Sequence, residues 1–338
     1  MYWFQPACRT RSADPPRRQL RPKINSYELS VEKGENYDLN RSLFERLVLK
    51  EFPHQTLSTQ HRMRPEISAF IRELTYPELI DHPSTQNRPD IRGVQSNVIF
   101  VNHTRPEDEE TRIADRRDAG STSSKQNTYE AEMVLKIVRY LKQQGYKNTD
   151  MVVLTPYLGQ LFKLRVAMQK DDDPVLNDLD ANDLQKAGLL QTGPAATKAH
   201  KAGIRLATIG ELSAEFIVRC ITISIDNYQG EESNIVIASL TRSNPDNNIG
   251  FMNSPERLNV LLSRARDGLI MIGNSQTFLK SKKGGALWTK FFSMLQDAKY
   301  VFEGFPIKCQ KHPTKTLTIT QAEEFDDRAP EGGCTEPW

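Results

Sequence analysis

The chain is short of cysteine, of long apolar runs and of excess charge of either sign, and each shortage closes off a class of protein. Four cysteines, Cys8, Cys220, Cys309 and Cys334, in 338 residues are too few and too scattered for a disulfide scaffold. Reduced thiols are therefore the default. The protein is expected to be intracellular, in the nucleus or the cytoplasm with the nucleus slightly preferred. The longest apolar stretches, such as Ile235 to Leu240 and Leu269 to Ile272, fall far short of the roughly 20 residues that cross a bilayer, so no membrane partner is expected. Met1 to Arg11 lacks the apolar stretch and cleavage pattern of a secretory signal. With 45 basic and 43 acidic residues the net charge is only +2, so any polyanion has to be held locally rather than by a protein-wide field. Also missing are a phosphate-cradling G-x-x-x-x-G-K-[ST] loop, a metal-binding carboxylate cluster and a nucleophile–base pair at recognisable spacing. A nuclease or other self-contained hydrolase has little support.

What is present is strong periodicity. Asn97 to Val101 is a short apolar run, and from Thr128 to Gln144 the residues Ala131, Val134, Leu135, Val138 and Leu141 recur at helical spacing. A second strand-then-helix unit follows, Met151 to Leu154 and then Leu158 to Gln169, across Thr155-Pro156-Tyr157. Ile235 to Leu240 reads as a buried strand, Pro255 to Ala265 as a helix, Leu269 to Ile272 as a strand and Phe278 to Leu295 as one or two helices. This alternation predicts an α/β fold, a parallel sheet with helices on both faces. Arg105 to Asn127 and Asp171 to Lys201 lack periodicity and are expected to be loop excursions. After Phe305-Pro306 the periodicity fades, so the core is expected to end near residue 306.

Three segments carry chemistry. Asp226-Asn227-Tyr228-Gln229-Gly230-Glu231-Glu232 precedes a buried strand that ends in Thr241-Arg242-Ser243-Asn244. A glycine lets backbone approach a phosphate, and a carboxylate two residues on can accept from ribose hydroxyls. Pro255 to Arg266 presents Arg257, Arg264 and Arg266 beside a stripe of Leu258, Leu261 and Leu262. An arginine offered to a triphosphate stabilises transition-state charge, although a solvated helix face carries arginines as well. Ser58 to Ile67 combines His61, Arg62 and Arg64 with Pro65 bounding a helix.

In order, QHRM-RP, TPYLGQL, DNYQGEE with TRSN, and GFMNSPERLNVLLSRAR closely resemble the motor motifs of superfamily-one helicases of the nonsense-mediated-decay branch, over about Gln19 to Asn274. The resemblance implies a RecA-like second motor lobe of a P-loop NTPase helicase. It divides the chain into a first-lobe remnant at 1–57, the second lobe at 58–306 with insertions within 171–224, and a tail at 307–338. It also implies ATP with Mg2+ as cofactor and single-stranded RNA or DNA as partner. By position, Arg62 and Arg264 are similar to the two arginine fingers, Gly230 and Gln229 to backbone contacts of the nucleotide, Glu232 to the ribose ligand and His61 to an aromatic near adenine. Thr155, Pro156, Tyr157, Thr241, Arg242 and Asn244 resemble the contacts to a nucleic-acid backbone. Tyr157 read by itself is equally a packed loop aromatic.

Gln19 in QLRPK resembles a γ-phosphate sensor, but Pro15-Pro16-Arg17-Arg18 stands where the family has Gly-Asp, and Gly210 to Ser224 interrupts the run into DNYQGEE. In the tail, Cys309-x-x-His312 and Cys334 resemble the opening of the cysteine-rich fingers of zinc-finger-bearing helicases linked to RNA interference and heterochromatin. Zn2+ needs four ligands there and three are visible. Two functions stay open: the motor lobe of an ATP-dependent helicase in RNA silencing or surveillance, or a non-catalytic nucleic-acid-binding scaffold for silencing partners such as an RNA-directed RNA polymerase.

Overall fold

The computed structural model describes residues 27–35, 37–109, 125–169, 175–176, 181–182, 184–185, 188–189, 204–208, 232–310, 312 and 314–328. Helix α1 (Leu43–Leu49) is followed by β1 (Thr59–Gln60), α2 (Pro65–Leu74), β2 (Ile80–Asp81), β3 (Val98–Asn102), α3 (Thr128–Gln143), β4 (Met151–Thr155) and α4 (Leu158–Met168). Then come β5 (Val175–Leu176), β6 (Arg205–Thr208), β7 (Ser233–Ser239), α5 (Pro255–Leu262), β8 (Ala265–Gly273), α6 (Ser275–Leu279) and α7 (Gly285–Asp297). The chain closes with β9 (Val301–Phe302), β10 (Phe305–Lys308), β11 (Thr316–Ile319) and α8 (Glu324–Arg328).

Seven strands form one sheet in the order β5-β6-β4-β7-β8-β3-β9, with every pairing parallel. Because successive side chains point to opposite faces, each apolar strand feeds two cores. Ile99, Val101, Met151, Val153, Ile235, Ile237, Ile270 and Ile272 meet α3 and α4 on one face. Val98, Phe100, Val152, Leu154, Val236, Ala238, Leu269 and Met271 meet α2, α5 and α7 on the other. Trp288, Phe291 and Phe292 of α7 are fully buried there, each contributing roughly 1.5–3 kcal/mol of hydrophobic stabilisation before entropy is subtracted. The α/β expectation, a RecA-like parallel sheet covered on both sides, holds.

Two expectations change, and a third narrows from one or two helices to two. The helix expected over Pro255 to Ala265 stops at Leu262, because Ala265 already opens β8 and pairs with Ser233. Arg264 therefore lies in a turn and Arg266 on a strand. The stretch Phe278 to Leu295 breaks into two helices at Gly284, whose φ of 85° is the left-handed region and whose Cβ would stand 2.8 Å from the Asn253 Cα. The chain does not leave the core at 306: β10 pairs antiparallel with β11, and Phe305, Ile307, Ile319, Ala322 and Phe325 join the α3–α4 core. Its apolar spacing fades because each short strand of the hairpin and the short helix supply only one or two inward residues. Most of Asp171 to Lys201, and all of Gly210 to Ser224, lie outside the described residues.

Candidate functional site

Polar groups gather at the two ends of the central strands. At the entry end, Arg62 leaves the turn after β1. Gln60 builds that turn: its Oε1 accepts from the Arg62 and Met63 backbone N–H groups at 2.8 and 2.7 Å. Its Nε2 donates to the Met63 carbonyl and to Asp81 Oδ1. Burial pushes the Asp81 carboxyl up, but hydrogen bonds from Gln60, Ser68 and Arg72 outweigh it and hold the pKa below the ordinary value. Arg62 Nε donates to Glu232 Oε2 at 2.7 Å and its Nη1 to the Ser263 carbonyl at 2.9 Å. Arg266 Nη1 donates to the other oxygen of Glu232 at 3.0 Å. Arg88 Nη1 ties the carbonyls of Arg62 and Arg266 together and pairs with Asp267. Residues about 200 positions apart thus share one rim. The Arg62, Glu232 and Arg266 side chains are 30%, 39% and 41% exposed, so the pairs contribute about 0–1 kcal/mol each and are readily exchanged for a ligand.

At the exit end the environment is dry. Thr155, Tyr157, Thr241 and Arg242 are buried. The Thr155 and Thr241 hydroxyls lie 3.2 Å apart. Tyr157 Oη donates to the Ile249 carbonyl at 3.3 Å and receives Arg242 Nη1 at 3.3 Å. Gly250 is required beside it, since a Cβ would stand 2.2 Å from that hydroxyl. Thr241 has a φ of 70°, a costly conformation for a β-branched residue. It is held by Glu130, fully buried, whose Oε2 accepts from the Thr241 N–H at 2.8 Å and from Ser239 Oγ at 2.6 Å. The other Glu130 oxygen faces His103 Nε2 at 3.1 Å. Glu107 Oε2 accepts from Arg242 Nε at 2.9 Å, Ser243 N–H at 3.0 Å and Asn244 Nδ2 at 3.0 Å. Burial lowers the pKa of Arg242, but Tyr157 and Glu107 outweigh it, leaving it raised. The seven residues of β7 separate the two rims by about 23 Å.

The sequence expectations divide accordingly. Arg62 and Glu232 are in contact. Arg264 is buried beside them in the turn before β8, with its carbonyl accepting the Ser233 N–H. His61 stacks on His82, ring centroids 4.0 Å apart. Thr155, Pro156, Tyr157, Thr241, Arg242 and Asn244 sit together at the exit rim, and Tyr157 is the packed aromatic of the plainer reading. Gln19, Gln229, Gly230 and Cys334 lie outside the described residues. Cys309 Sγ and His312 Nδ1 stand 3.6 Å apart, but among the described residues no group of three His, Cys, Asp or Glu is placed to hold a metal ion. Among the described residues the tail thus brings together two zinc donors, and the entry-rim carboxylates of Asp81, Glu232 and Asp267 are each engaged by an arginine. Sequence reasoning missed Arg88, Glu107 and Glu130. Only Glu130 left a signal, as the third residue after the helix-capping Asn127, whose side chain accepts its N–H. Arg88 and Glu107 sit in loops with no periodicity around them.

Residues 39–276 match the model of the AAA domain family. The chain is 34% identical to the NFX1-type zinc finger-containing protein 1 of Mus musculus over 94% of its own length and 14% of that protein's. It is 30% identical to the Helicase required for RNAi-mediated heterochromatin assembly 1 of Schizosaccharomyces pombe, over 83% of this chain and 22% of that one. It is also 30% identical to the Regulator of nonsense transcripts 1 homolog of Drosophila melanogaster, over 79% of this chain and 19% of that one. The chain thus spans less than a quarter of the length of each of these relatives. With the parallel sheet and the rim clusters in place, the match identifies the chain as a member of the AAA domain family and, with these relatives, of the superfamily-one helicases.

Proposed function

We propose that the chain is the second motor lobe of an ATP-dependent helicase, taking nucleotide phosphates and ribose at the entry rim and single-stranded RNA or DNA at the exit rim. The observation that carries this reading is the entry rim itself. Arg62 and Arg266, about 200 positions apart in the chain, converge on Glu232, and Arg266 Nε is buried without a hydrogen-bond partner among the described residues. Two guanidinium groups and an orphaned donor suit a triphosphate better than they suit one carboxylate. When nucleotide is bound, the arginines neutralise charge developing on the γ-phosphate, and Glu232, released from them, accepts from ribose hydroxyls. Among the described residues the entry-rim carboxylates are engaged by arginine rather than grouped for Mg2+. The Arg242 guanidinium, the Ser243 N–H and the Asn244 amide, which hold a carboxylate at the exit rim, suit sequence-independent contact with a phosphodiester backbone.

The absence of a G-x-x-x-x-G-K-[ST] loop favours a second reading for this polypeptide, a nucleic-acid-binding scaffold without catalysis, serving RNA silencing or surveillance alongside partners such as an RNA-directed RNA polymerase. Titration of a fluorescent ATP analogue, with and without single-stranded oligouridylate, separates the two. The motor-lobe reading expects measurable affinity that falls about tenfold or more in Arg62→Gln. No affinity, or affinity indifferent to Arg62, leaves the scaffold.

A further inference from the structure

Three donors of different chemistry converge on a single oxygen of Glu107: the Arg242 guanidinium, the Ser243 backbone N–H and the Asn244 side-chain amide, all within 3.0 Å. One anionic oxygen ringed by a guanidinium, a main-chain N–H and an amide is how proteins hold a phosphate oxygen. The next residue repeats the arrangement. Asp108 Oδ2 receives Lys163 Nζ of α4 at 2.6 Å, and the Asp108 carboxylate also takes the Thr128 N–H and hydroxyl at the start of α3, each at 3.0 Å. Burial pushes the Asp108 pKa up, yet Lys163 and Thr128 prevail and hold it low. The segment is anchored by its backbone as well, the Glu107 N–H donating to the Ser243 carbonyl and the Asp108 N–H to the Gln126 carbonyl. Two adjacent carboxylates therefore occupy two adjacent anion sites built by the exit rim, α3 and α4.

We propose that Glu107 and Asp108 stand in for consecutive phosphates of a single strand, closing the exit rim until nucleic acid displaces them. This rests on the nucleic-acid reading of that rim. Both anions cannot share the site: like charges around one guanidinium repel, and the Arg242, Ser243 and Asn244 donors already converge on one Glu107 oxygen. The displaced carboxylates move into water while their donors remain satisfied by phosphate, so the exchange costs little and is sensitive to salt.

The test is fluorescence anisotropy of a labelled oligouridylate of about twelve nucleotides, a length within the span such grooves engage. The 338-residue chain is compared with Glu107→Gln. Glu73→Gln, which removes the same charge from an exposed pair with Lys290, controls for net charge. Glu107→Gln is expected to bind about tenfold tighter than Glu73→Gln, with the gain shrinking as salt rises. If wild type binds but Glu107→Gln binds no tighter than the control, or binds more weakly, the stand-in is overturned while the nucleic-acid reading survives. If no variant binds, both fall. Thermal melting establishes that the variants fold; should Glu107→Gln not fold, Asp108→Asn is read by the same criterion.

Discussion

Asp81 shows how a single side chain far from any ligand governs a candidate catalytic one. Its carboxylate fixes Gln60, and Gln60 shapes the turn that points Arg62 at Glu232. Since its folded pKa lies below the ordinary value, its contribution to stability is complete above the unfolded pKa of about 4 and is lost as pH falls through the folded value. Melting temperatures of wild type and Asp81→Asn are expected to differ by a few degrees at neutral pH, about 1–2 kcal/mol, and to converge towards pH 3; a constant gap would contradict the pairing. None of this is legible in the sequence, where Asp81 is one acid in a loop. Arg62 was legible, because QHRM-RP is a run of consecutive residues that resembles a helicase motif. Arg88 was not, because its partners come from positions 61, 62, 266 and 267.

Helices and strands with long apolar periods were read correctly, and errors concentrate where an element is short or its ends are set by pairing. Pairing of Ser233 with Ala265 takes Arg264 off the helix and places it in the turn facing the entry rim. The terminal hairpin and α8 make the same point for packing. Phe325 is 4% exposed and sits against Tyr140 and Phe305, although it lies beyond the boundary that fading periodicity suggests. Phe325→Ala is expected to cost about 3 kcal/mol in urea unfolding; a loss under about 0.5 kcal/mol, normal for a surface position, would mean that the tail is not part of the core.

For the molecule as a whole, the sheet sets the two candidate sites at opposite ends of the same strands, β7 and β8. On the motor-lobe reading, the described residues supply only half of a triphosphate site. The 338-residue chain is therefore expected to release phosphate from ATP no faster than an Arg62→Gln variant, with or without single-stranded RNA. RNA-stimulated turnover above that variant, followed by a coupled phosphate assay, would show that some other segment supplies the missing grip.

Sequence alone determined the fold class, the family and the identity of most rim residues, because apolar period and motif order are local properties carried by consecutive side chains. Tertiary structure decided what those residues touch. It buried Tyr157 and Arg242, stacked His61 on His82, paired Arg62 and Arg266 with Glu232, and laid Glu107 across the exit rim. Each of these contacts joins segments far apart in the chain, and the free energy of burying or pairing a charge depends on neighbours that only folding brings together.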